Sequence, residues 1–397
     1  MRRILSLLLC LTLLLLTVAC TDPVTENPGT ESETESVQSS DVTSADGGSD
    51  PGSDTDSSVG STSSGNLSSG SSSAASEYVF DTSVSHKFIA TDIKAHSLVV
   101  FDLNKCNGDF SKLTSRNCVV WEWDSDNDAN CTIKPKAGLD SAKLRYSPYY
   151  KKDVVIACSS SGWVGVIDYA AKKTLWNTYL GYGPHSVEMM PNGDLAVACS
   201  GNGEPTGRVF YIPLSAGVTR PSCYVDAPEG HGVSYDPEKD LLWVLEAKDL
   251  VGYKVKNGGT ANATLEKAVG QTATLLKKDN HGHALSPVTG SPGLYWVSGT
   301  AKLWQFDAKN LTVTFDYPYV AAMTSKNIKG IASFADGTAV LAIYGNGKNL
   351  TTDFSCTALR LLFFKEQSDG SLRPVVKDVQ FTNREFYKVF PFSKDYQ

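Results

Sequence analysis

The sequence predicts an all-β fold, a six-bladed β-propeller of four-stranded blades. Three observations carry this: equal-length segments recur through residues 78–397, turn signals fall at matching places inside each unit, and no stretch keeps a helical period. His185–Pro191, His231–Pro237 and His281–Pro287 are each a histidine, a short alternating run and a closing proline. Ala142–Pro148 has the same length and the same proline, and the run from Lys329 ends in Ala335-Asp336-Gly337. The starts at 142, 185, 231, 281 and 329 are spaced by 43, 46, 50 and 48 residues. That is the period of a four-stranded blade.

The elements of each unit follow in a fixed order. The alternating run is the first, innermost strand, and a turn follows it at Asn192-Gly193-Asp194 or Asp336-Gly337, where glycine and its polar neighbours favour a tight reversal. The second strand is more apolar: Val154–Cys158, Leu195–Cys199, Leu241–Leu245, Leu294–Val297 and Ala339–Ile343 read as strands buried on both faces. The third alternates and ends in an aspartate turn, as in Val164–Asp168 and Leu303–Asp307; the fourth is short and aromatic, as in Thr174–Asn177 and Val313–Asp316. Lys87–Thr91, Leu98–Asp102 and Val119–Trp123 supply second, third and fourth strands with no first strand before them. Glu385–Pro391, at the other end of the chain, has the length and closing proline of the missing one. The two ends are therefore expected to share one blade, closing the ring and removing its free sheet edges.

The N-terminal region belongs to a different class. Arg2 and Arg3 precede an apolar run, Ile4–Leu16, of secretory rather than membrane-spanning length. Thr17-Val18-Ala19-Cys20 then resembles the bacterial lipobox, with Thr17 where leucine is usual. The expectation is a signal peptide at 1–19, diacylglycerol on Cys20, and tethering to a membrane with the domain outside the cytoplasm. Residues 20–77 are a Ser, Thr, Gly, Asp and Glu spacer with 11 acidic residues from 21 to 77 and no Lys, Arg or aromatic. Such a composition cannot bury enough apolar surface to fold, and a coil of this length reaches on the order of 40 Å. The spacer holds the net negative charge of the chain, −7 overall. The near-neutral remainder offers no basic stripe for nucleic acid, and a monomer is expected.

Among the cysteines, Cys158 and Cys199 fall at matching places in second strands and read as core, whereas Cys106 is expected to pair with Cys118 or Cys131. No Cys-x-x-Cys, Gly-x-Ser-x-Gly or His-Glu-x-x-His spacing occurs, so zinc-ribbon, serine-hydrolase and zincin readings lack support. The histidines are the better lead. His185, His231, His281 and His283 all lie at blade starts, where innermost strands line a central channel. Alignment on the closing prolines gives a ring of Glu385, Ala142, His185, His231, His281 and Lys329. Its polar members, with His283, are the candidate ligand-binding set. His185, His231 and His281 are candidate ligands for a divalent metal, the one cofactor the sequence suggests. Glu188, Lys143, Arg145 and Glu246 are weaker candidates beside this face.

Pro184–Ala198, together with Glu385-Phe386-Tyr387-Lys388, resembles an uncharacterised family of bacterial exported six-bladed propellers. The chain is more distantly similar to WD-type and YVTN-type propellers, without their Trp-Asp ending. The resemblance implies fold and location and no activity. Three functions remain open: a surface propeller binding an extracellular glycan or protein through its channel face, a metal-dependent polysaccharide lyase or hydrolase using channel histidines, and an envelope scaffold.

Overall fold

Strands whose side chains alternate in size and polarity, separated by tight turns, can bury one another only by stacking as successive sheets, and the chain does so. The structure, a computed structural model, describes residues 81–106, 118–201, 206–275, 282–299, 303–314, 328–343, 360–366, 372–380 and 384–396. The signal segment, Cys20, the spacer, His281 and Cys356 lie outside the described residues.

The described residues form four-stranded antiparallel sheets, the blades of a β-propeller. The first holds β1 (Lys87–Asp92), β2 (Ser97–Asp102) and β3 (Val119–Asp124). Along the chain follow β4 (Ser141–Ser147), β5 (Lys152–Cys158), β6 (Trp163–Asp168) and β7 (Lys173–Tyr179), then β8 (Pro184–Met189), β9 (Leu195–Cys199), β10 (Arg208–Ile212) and β11 (Cys223–Asp226). Next come β12 (Gly232–Asp236), β13 (Leu241–Leu245), β14 (Asp249–Lys256) and β15 (Thr264–Thr274), and β16 (Gly282–Pro287), β17 (Leu294–Gly299), β18 (Leu303–Asp307) and β19 (Thr312–Thr314). The last group is β20 (Ile328–Ser333), β21 (Thr338–Ile343), β22 (Arg360–Glu366) and β23 (Leu372–Gln380), before β24 (Phe386–Pro391). Each sheet pairs its strands in chain order, and β24 joins β1, giving the order β24-β1-β2-β3.

Local chemistry explains the turns. Asp168 Oδ1 accepts the Ala171 amide at 2.9 Å and Asp307 Oδ1 the Lys309 amide at 2.8 Å, so an aspartate closing a third strand starts the reversal itself. Gly193 (φ 93°) and Gly337 (φ 77°) occupy the left-handed positions of the first hairpins, as the Asn-Gly and Asp-Gly pairs require.

The cores lie between sheets. One cluster packs Ala196 and Val209 against Val233, Leu242 and Val251, joining the β8–β11 sheet to β12–β15; another packs Val99 and Phe101 against Ala332, Val340 and Val389. Beyond their first one or two residues the second strands are buried, Leu241–Leu245 at every residue, because both faces meet a neighbouring sheet. Each such leucine or valine contributes about 1.5–3 kcal/mol. Cys106 is disulfide-bonded to Cys118, one of the two expected pairings, and Cys131 is a buried free thiol. Cys158 and Cys199 are fully buried free thiols, as their strand positions imply. Among the described residues no helix is long and apolar enough to cross a membrane.

Candidate functional site

The strands β4, β8, β12, β16, β20 and β24 pack beside one another, and polar side chains from them converge in the space between, here called the channel. In four of them, β8, β16, β20 and β24, the pairing is irregular near the start, whereas β4 and β12 pair regularly. β8 has an irregularity between Pro184 and Ser186, β16 between Gly282 and Ala284, and β20 between Ile328 and Gly330. The residue inserted at each is His185, His283 and Lys329. An extra residue in one strand bends it and re-aims its side chain, here into the channel. In β24 the same kind of irregularity covers Tyr387 and Lys388. Glycines follow His231 and Lys329 because the strands crowd: a Cβ on Gly232 would lie 2.8 Å from Leu285 Cβ, and one on Gly330 2.8 Å from the Val389 amide.

The imidazoles converge. The rings of His185 and His231 stack with centroids 4.6 Å apart, and His283 meets His231 edge-on at 5.8 Å. Lys329 Nζ lies 3.3 and 3.2 Å from the two ring nitrogens of His283 and 5.5 Å from the Tyr387 ring centroid. Lys388 reaches under the histidines, donating to the carbonyls of His185 (2.9 Å) and His231 (3.2 Å). Asp140, just before β4, places a carboxylate oxygen 3.3 Å from His185 Nδ1 without hydrogen-bonding geometry. His231 Nδ1 donates to the Glu229 carbonyl at 2.6 Å, so the neutral ring keeps Nε2 as an acceptor.

Deeper in the channel Glu188 is fully buried and holds two cations. Arg145 grips it through Nε (2.7 Å) and Nη2 (2.9 Å), and Lys143 Nζ donates at 3.0 Å. Tyr396 then covers Arg145, with the guanidinium 4.9 Å from its ring centroid and its hydroxyl donating to the Met189 carbonyl at 2.6 Å. The C-terminal tail thus stops the far end of the channel, while His185, His231 and Lys329 keep partial exposure at the other mouth.

Burial, then the neighbouring His185 and Lys388, push His231 well below the ordinary histidine value. Burial, then Lys329 and His231, do the same to His283. Burial lowers Lys388 to about 8, against a partial opposing pull from Asp140. For Glu188 burial alone raises the carboxyl, but Arg145 and Lys143 overcome it and hold it below the usual carboxylate range. Among the described residues along the channel, Lys143, Arg145, Lys329 and Lys388 face the carboxylates of Glu188 and Asp140, so cations outnumber carboxylates in this set.

The ring differs from the one aligned on prolines. Glu385 is not in it: its carboxylate lies 3.8 Å from Lys94 and its amide bonds Asp92, and Lys388, three residues on, takes the inward place. Ala142 is buried in the apolar cluster between the β1–β3 and β4–β6 strands, and Asp140 stands at the mouth instead. His283 joins the ring, whereas His281 lies outside the described residues. Lys143 and Arg145, weaker candidates in the sequence, are buried, and Glu188, ranked with them, is the buried carboxylate that both hold. Glu246 accepts from Tyr253 Oη at 2.8 Å, away from the ring. Among the described residues no group of three or more His, Cys, Asp and Glu is disposed to hold a metal. The ammonium groups of Lys329 and Lys388 beside the imidazoles also disfavour a further cation there.

Comparison with solved structures returns distant likenesses only. A Bacteroides caccae protein of unknown function is 10% identical, covering 77% of this chain and 97% of its own, at a TM-score of 0.45. The β-propeller domain of Myceliophteria thermophila Cps50 (Swd1) is 13% identical over 79% of this chain and 91% of its own, at 0.42. A putative 6-phosphogluconolactonase from Bacteroides uniformis is 11% identical over 77% and 98%, at 0.41. Likeness this distant carries no activity across. No curated protein matches. Residues 90–345 match the model of a family of unknown function, and with this span and the propeller built from it, the chain belongs to the family of unknown function DUF6528.

Proposed function

We propose that this chain is a lipid-anchored surface protein whose propeller binds an extracellular glycan or protein at the histidine mouth of its channel. The carrying observation is the convergence of His185, His231 and His283 with Lys329 at the partly open end of a channel stopped at the other. Inner strands 46 or more residues apart in sequence bring them together, an arrangement the packing of a propeller does not itself demand. The signal-like start, Cys20 and the 20–77 spacer support display at an envelope surface. In this reading the four-stranded sheets are six blades of one ring, closed by β24 on β1.

Two measurements test it. A variant with His185, His231 and His283 replaced by alanine, shown by its melting curve to be folded, is expected to lose the binding that the wild type shows on a glycan or surface-protein array. Unchanged binding overturns the channel-face reading. The metal-dependent lyase or hydrolase is less favoured by the crowded ammonium groups. Stoichiometric metal in the purified protein, with a melting temperature that falls on chelation, would establish it over the binding reading.

A further inference from the structure

The chemistry of the ring narrows what it can take, provided the mouth is the binding site. We propose that the mouth is an oxyanion site, receiving a carboxylate or phosphate group of the ligand with uptake of protons from solvent. Every inner strand contributes at this level: Asp140 before β4, His185 from β8, His231 at the start of β12, His283 from β16, Lys329 from β20, and Tyr387 and Lys388 from β24. Asp140 is the one carboxylate among them, and ammonium and imidazole groups make up most of the rest. Charge is thus arranged to attract an anion, and a partly desolvated anion is held more strongly than one in water.

The hydrogen bonds already made dictate the proton coupling. His231 spends Nδ1–H on the Glu229 carbonyl, so its ring can donate a second bond only after Nε2 gains a proton. The Lys329 ammonium beside the ring nitrogens of His283 likewise favours the neutral ring. An anion reverses both preferences: it attracts Lys329 and stabilises the imidazolium. By linkage, whatever raises proton affinity on binding makes binding tighter as pH falls. Burial and the surrounding cations hold His231 and His283 below the ordinary histidine value in the free protein, the state from which an anion would raise them.

The test uses the full chain in detergent, labelled at histidine and followed by the ring resonances in nuclear magnetic resonance. Glucuronate, inorganic phosphate and, as the neutral control, glucose are titrated at pH 6, 7 and 8. Glucuronate or phosphate is expected to shift the rings saturably, glucose not, with affinity rising on acidification by up to about tenfold per pH unit for each proton taken up. Calorimetry in buffers of different ionisation heat then shows proton uptake, and Lys329→Met weakens binding about tenfold while leaving the melting curve in place. The anion that binds identifies its source, an acidic sugar or a phosphate group. Equal shifts by glucose overturn the oxyanion assignment and leave the mouth as the binding site. No shift by any probe overturns the assignment, and array binding that survives the triple-alanine variant overturns the reading beneath it as well.

Discussion

Glu188 shows how much of the channel rests on one side chain. It is fully buried between Arg145 and Lys143, and removing its charge strands two cations away from water. Glu188→Gln is expected to cost about 3–5 kcal/mol, read as a lowered urea midpoint at constant slope. A loss within about 0.5 kcal/mol, the usual range for surface changes, would mean that water reaches these groups. The histidines give a pH signature of definite sign. With folded values of His231 and His283 below the unfolded 6.5, the unfolded chain binds more protons between them, so their contribution is complete above about pH 6.5 and is lost as pH falls. Glu188 and Asp336, the latter lowered to about 2, lose theirs only below the usual carboxylate range. His86, raised overall by Asp336 and Asn104 against its burial, works the other way and weakens as pH rises through its folded value. Denaturation at pH 7.5 and pH 5.5 should therefore show a stability loss that is smaller in His231→Gln. An equal loss in the variant would assign the effect elsewhere. Sequence reasoning named His185, His231, His281, His283, Lys329 and Glu385 because blade starts are where innermost strands line a central channel. It undervalued Glu188, Lys143 and Arg145, whose charges look like surface until their partners, 43 to 45 residues away, are in place.

At the scale of the element, the inserted residues mattered most. Strict alternation says which face a strand residue takes, and one added residue reverses the assignment for everything beyond it. The irregularities at His185, His283, Lys329 and Tyr387–Lys388 lie where a proline-based alignment has no marker, which is why Glu385 was placed where Lys388 stands. The strands themselves were legible, including the odd fact that the last one completes the first sheet. β24 pairs with β1 from Phe88↔Pro391 to Asp92↔Phe386, and Val389 and Phe390 are buried against different neighbouring sheets. Ending the chain after Arg384 removes this strand, the Lys388 anchor and the Tyr396 stop together. The shortened protein is expected to lose cooperative unfolding and to self-associate through the exposed β1 edge, as size-exclusion and melting measurements would show. A monomer with an unchanged melt would mean that β24 is dispensable. Cys106–Cys118 spans 12 residues, and Cys106→Ser should cost about 2–3 kcal/mol in a non-reducing urea titration, with no further loss on adding reductant.

For the molecule as a whole, the sequence by itself determined the class of fold, the order and type of strands, the aspartate turns and the union of the two ends in one sheet. These are local or periodic properties: alternation, turn chemistry and a repeat near 46 residues are each written in a short window and then written again. It also sets a Ser, Thr and acid-rich segment, 20–77, apart from a near-neutral remainder, a difference written in composition alone. Only the tertiary structure decided which side chains share the channel. That choice depends on single inserted residues in separate inner strands and on the tail that stops one end, and none of these changes a hydrophobic pattern. The histidine ring and the Glu188 network are therefore products of convergence: groups from distant repeats meet on one axis, and their charges acquire meaning only at the distances that meeting sets.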